Sequence, residues 1–163
     1  MKINTLDDLP ESWIALYAIC EYGHKSASQF HQAAKITKQQ KNVFDSERWE
    51  ALAEARKVYT HELVNRLEFI GLPPRSDKDF TFNNSEKKPN FIVNFKPETA
   101  DGELFEDYCR SDLQCWEAIR RLQANADFDP KTHDLIYGMG LHIEASISLL
   151  INWSASFDRR PAV

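Results

Sequence analysis

The sequence predicts an all-α protein, a four-helix bundle of two antiparallel hairpins with a long crossover between the second and third helices. Two observations carry this. Apolar residues recur at steps of three and four through four long segments, the period of a helix with one buried face. The strongest helix breakers fall between those segments: Gly71, Pro73 and Pro74 after the second, and Asp129 followed by Pro130 before the fourth. At 163 residues the chain is the size of one domain, so residues 1–163 are expected to share a single core.

The first helix should start near Asp8 to Glu11, where Asp8 can cap, Pro10 suits a first turn and Glu11 completes a box-like spacing. It should run to about Lys41. Trp13, Tyr17, Cys20, His24, Ala27, His31 and Ala34 follow one another at steps of four and three, the seam of a helix packed in a bundle. Asn42 to Ser46 reads as a short turn, with Asp45 or Ser46 capping the second helix. Its apolar members are Trp49, Leu52, Tyr59, Leu63, Leu67 and Ile70. Two long helices joined so closely should form an antiparallel hairpin.

Residues 72–97 differ in composition, with four prolines and the aromatic pieces DFTF and FIVNF. Phe80, Phe82, Phe91 and Phe95 suggest a long connection packed on the bundle, and Asp79 to Phe82 could pair with Phe91 to Phe95 as a small hairpin. The third helix should begin around Thr99 to Gly102 and carry Phe105, Tyr108, Asp112, Cys115, Ile119 and Leu122 on one stripe. Asp129 and Pro130 then supply the cap and first-turn proline of the fourth.

A formal charge of -5 and the lack of a Lys/Arg-rich stripe argue against a nucleic-acid footprint. Three cysteines, Cys20, Cys109 and Cys115, are too few and too irregular for a disulfide framework, which fits a reducing cytoplasm. No charged region followed by an apolar run marks a secretory signal at the start. No Gly-rich phosphate loop, GxSxG or HExxH is present, which removes common nucleotide and hydrolase signatures.

The segment from Leu135 to Phe157 has Glu144 as its one formally charged side chain in 23 residues. It is long enough to cross a bilayer, but Glu144, His142, Asn152, four serines and two glycines favour a buried core helix over a membrane span. A carboxylate buried there is costly unless protonated, hydrogen-bonded, paired or bound to a metal. Height along the bundle gives Glu144 company. His24 and Glu62 each lie some 18 to 20 residues from the middle of the first interhelical turn, and Asp112 and Glu144 each about 16 from the second, so each pair is level at a rise of about 1.5 Å per residue. Glu21 stands one turn before His24, and E21-Y-G-H24 has the spacing that lets a carboxylate and an imidazole approach one ion. Tyr137, Leu141, Ser148 and Ile151 share the face of Glu144 and predict that it points inward.

In this layout the chain resembles the ferritin-like superfamily, and EARKVYTHELVNRLEFIGLPP is similar to a ferritin-like second helix with its glycine-proline exit. The resemblance implies a di-iron type ligand set of one Glu on the first helix, ExxH on the second, one Glu on the third and ExxH on the fourth. Glu21, Glu62, Asp112 and Glu144 would match the carboxylates. Asn65 and Ile147 stand where the second and fourth helices should offer histidine, and the ExxH lies on the first helix instead.

Two functions follow. The first is an iron- or manganese-binding protein with Glu21, His24, Glu62, Asp112 and Glu144 as ligands, suited to oxygen or peroxide chemistry. The second, favoured by the missing histidines, is a non-catalytic module that works as a homodimer or binds a protein partner, with apolar surface beyond what one small bundle buries. Neither nucleic acid nor membrane is expected as a partner.

Overall fold

A computed structural model describes residues 10–70, 102–125 and 127–158. These residues form four helices: α1 (Glu11–Gln39), α2 (Val43–Phe69), α3 (Gly102–Asn125) and α4 (Pro130–Asp158). The fold is all-α, and no strand occurs among the described residues. The cap expected at Asp8, the crossover at 72–97 and its hairpin lie outside the described residues.

The ends of the helices follow local chemistry. Lys41 takes the left-handed conformation (φ 63°) that lets the chain leave α1. The cap of α2 sits earlier than expected: the Asn42 side chain accepts from the Asp45 backbone N–H at 3.2 Å, while Asp45 and Ser46 are already inside the first turn. Ser46 instead donates to the Ala34 carbonyl at 2.7 Å, tying the start of α2 to α1. Asp129 caps α4 as expected, accepting from the Thr132 N–H at 3.2 Å and from Arg66 at 2.7 Å. The Thr132 hydroxyl and amide, with Arg66, hold its carboxyl down at about 2.

The main packing is of α1 on α2 and α3, and of α4 on α3 and α2. α1 and α2 approach closely at Gly23, where an added Cβ would fall 2.1 Å from the Thr60 hydroxyl oxygen, so glycine lets the two helices meet there. Residues 16–23 of α1 are all buried, so this helix is covered on every side over two turns rather than along one stripe.

The core is divided. At one end Ile14, Leu16, Ile19, Leu63, Leu67, Ile119, Met139 and Ile143 form an aliphatic cluster. At the other, Phe30, Trp49, Phe105, Tyr108 and Trp153 form an aromatic one, with Trp49 and Trp153 ring centroids 4.5 Å apart. Between them every helix contributes polar side chains.

Candidate functional site

At the middle of α2 the apolar spacing continues through Trp49, Leu52, Arg56, Thr60, Leu63 and Leu67, which puts an arginine on the buried seam. Arg56 is wholly buried. A guanidinium out of water needs nearly all of its donors satisfied, and the bundle provides partners on three helices. Two parallel bonds reach Asp112 on α3, Nη1 to Oδ1 and Nη2 to Oδ2, both at 2.8 Å. Nη1 also donates to Ser26 Oγ of α1 at 3.0 Å, and Nη2 to Ser146 Oγ of α4 at 2.9 Å. Nε donates to His142 Nε2 at 3.0 Å. The Phe30 ring lies 4.9 Å from the guanidinium carbon and adds a cation–π contact.

Asp112 is equally buried, and its oxygens are filled from other sides too. Ser146 Oγ donates to Oδ2 at 2.7 Å, and the Tyr22 hydroxyl donates to Oδ1. Burial alone would lower the pKa of Arg56, but the attraction and hydrogen bonds of Asp112 outweigh it and hold the cation above its ordinary value. Burial, reinforced by the Asp112 charge, pushes the Tyr22 phenol well up, so it stays a protonated donor. Burial and then the adjacent Arg56 charge push His142 down to about 4. His142 is therefore neutral at pH 7, with Nε2 as acceptor and the proton on Nδ1. Its ring stacks on Tyr59 at 4.9 Å.

Chemically this layer is a closed circuit. Arg56 and Asp112 direct their groups to one another and to fixed neighbours, so the pair links α2 to α3 by two parallel charge-assisted bonds.

The five residues expected to gather around a metal are not gathered. Asp112 is at the centre, but Arg56 and Ser146 hold its carboxylate. Glu144 is exposed, and so is Glu62. Glu21 is buried and pairs with Lys25 at 3.1 Å, and His24 is half-buried beside it on α1. The inward direction assigned to Glu144 fails for a physical reason. The helix is apolar nearly all round, so its period does not mark the core side, and the neighbours that seemed to bury it, Tyr137, Leu141 and Ile151, are 58%, 50% and 55% exposed. Arg56, Ser26, Tyr22, His142 and Ser146 were missed. The available signal was the arginine interrupting the apolar seam of α2.

Two further features lie outside the layer. His31 of α1 meets Glu50 and Glu54 of α2, with Nδ1 2.9 Å from Glu50 and Nε2 3.3 Å from Glu54. Their ligand-capable atoms lie within 4.8 Å of one another, the grouping of metal-ligating side chains found among the described residues. Between α2 and α4 runs an open groove of about 480 Å³, lined chiefly by Ala51, Ala55, Ala145, Leu149 and Trp153, with Arg48 at one end and His142 in its wall. The Trp153 indole N–H, buried at this wall, has no hydrogen-bond acceptor among the described residues. Of the described helices, α4 has the length and composition to cross a membrane, and here it packs against α2 and α3.

No protein family, curated protein or solved structure matches this chain.

Proposed function

We propose that the protein is a non-catalytic helical-bundle module that works as a homodimer through its α2/α4 face. The observation that carries this reading is the apolar strip left open there. Leu149, 59% exposed, lines the groove with its alanines, and Val58 on α2 and Leu141 on α4, one turn from Ala55 and Ala145, are 55% and 50% exposed. Large apolar residues grouped on one face of a chain rich in surface charge mark a contact surface. The saturated Arg56–Asp112 layer agrees with it, because the guanidinium and carboxylate at the centre are held by one another and by fixed neighbours on all four helices.

The architecture is read as ferritin-like, two antiparallel hairpins. Paired positions support it: Ala34 with Ser46, His31 with Glu50, Ser26 with Arg56 and Gly23 with Thr60 run in opposite senses. Phe105 with Trp153, Asp112 with Ser146 and Ile119 with Gly140 do the same in the second pair.

Light scattering on the purified chain tests the module reading. Wild type should have twice the 18.9 kDa chain mass, and Leu149→Lys should fold and remain at the single-chain mass. A monomeric wild type at high concentration, or a Leu149→Lys variant that still pairs, overturns it.

A second reading, an iron or manganese protein, draws on one observation, the His31, Glu50 and Glu54 cluster. One imidazole and two carboxylates suit these ions, and the side chains are 32%, 50% and 55% exposed, leaving coordination positions open to water. Calorimetric titration with Mn(II) or anaerobic Fe(II) should show one site lost in His31→Ala. No heat in wild type, or equal heat in the variant, removes this reading.

A further inference from the structure

Resting on the dimer reading, we propose that the partner is a second copy of this chain in one register, with the two-fold axis crossing α2 and α4 at Ala55 and Ala145. The argument begins with height. Arg56 bonds both His142 and Ser146, so Ala55 and Ala145 stand level on the outer face. From these two alanines the sequence is palindromic in character. On α4, Leu141 and Leu149 lie four residues to either side of Ala145. On α2, Ala51 lies four before Ala55 and Val58 three after it. Arg48 and Glu62 lie seven residues before and after Ala55. Seven residues are two turns, so both share the Ala55 face to within about 20° and stand about 10 Å along the axis from it.

An isologous interface needs each patch to complement itself under the two-fold. An axis lying in the contact plane and perpendicular to the helices inverts height, so α2 crosses α2 of the copy and α4 crosses α4. Ala55 then meets Ala55 and Ala145 meets Ala145, where small side chains allow the helices to approach. Leu141 meets Leu149. Arg48 meets Glu62, twice, with opposite charge. The alternative axis, parallel to the bundle, keeps height and sets α2 against α4, which leaves Arg48 level with Asn152 and Glu62 level with Gly138. That arrangement gives neither charge a partner. Both charges are exposed, and neither forms an ion pair with a described residue of its own chain; Arg48 lies over the Phe44 ring at 4.2 Å, at the rim of the groove.

A charge-swap experiment on the full chain tests the register. Arg48→Glu places Glu against Glu twice in its homodimer, and Glu62→Arg places Arg against Arg twice. Each variant should dissociate about tenfold more readily than wild type at low salt, by sedimentation equilibrium. Mixed in equal amounts, the two should form a heterodimer with both ion pairs restored in reversed sense, at close to wild-type affinity. If each variant dimerises as wild type does, or the mixture gains nothing over the separate variants, the register is overturned. In that case Leu149→Lys still decides the face: loss of dimer there keeps the module reading while the register falls, and a Leu149→Lys dimer overturns both.

Discussion

Replacing Arg56 by methionine removes the cation that neutralises Asp112 and leaves a carboxylate with no exposure between two apolar clusters. Breaking a buried pair from one side costs about 3–5 kcal/mol, because the surviving charge stays desolvated. Asp112→Leu strands the guanidinium and should cost about the same. Were the two effects independent, their sum would approach the whole stability of a domain this size, about 5–15 kcal/mol. They are not independent. In the double variant no charge is stranded, and the remaining loss is the hydrogen bonds of the Tyr22 hydroxyl, the Ser146 hydroxyl and His142 Nε2, each about 1 kcal/mol as a net term. The double variant should therefore be about as stable as either single one, a coupling of about 4 kcal/mol against additivity. Urea unfolding followed by circular dichroism measures all four corners of the cycle. Costs that add to within about 0.5 kcal/mol would refute the pairing and the energetic role given to this layer.

The neutral His142 ties stability to pH. Its folded pKa of about 4 lies below the ordinary 6.5, so between those values the unfolded chain binds more protons and stability rises with pH. The contribution, about 3 kcal/mol, is complete above pH 6.5 and is lost as pH falls towards 4. Comparing wild type with His142→Gln in urea melts at pH 4.5 and 7.5 isolates it, and an equal slope in both proteins would assign the dependence elsewhere. Gly23→Ala should destabilise by about 1–3 kcal/mol, since the new methyl meets Thr60 at 2.1 Å, and Thr60→Ala should restore part of the loss. A Gly23→Ala variant melting with wild type would show that α1 and α2 are not in close contact there.

The helices were legible because helix signals are local: breakers at Gly71 and Pro130 and the three-and-four spacing need no knowledge of tertiary contacts. Asp112 was legible too, as a polar residue set in a clean apolar stripe. Glu144 was misread because polarity was judged against neighbours in sequence, whereas α4 keeps apolar side chains on its outer face as well as its inner one. Such a helix has no inward direction to read until its packing partners are known. Arg56 escaped notice for the opposite reason. Buried arginine is rare, and a charge on a helix is ordinarily given to the solvent side, although its place between Leu52 and Leu63 on the seam of α2 said otherwise. The His31 cluster spans two helices, and only the register between α1 and α2 brings its carboxylates to the ring.

In the proposed module the interior layer holds the fold and the outer α2/α4 face carries association. Light scattering on two folded variants tests it most directly. Asp112→Asn should melt lower than wild type yet keep the dimer mass, and Ala145→Arg should keep its helical spectrum yet run at the single-chain mass. A folded Asp112→Asn protein that no longer associates, beside an Ala145→Arg protein that still does, would place association elsewhere than on this face.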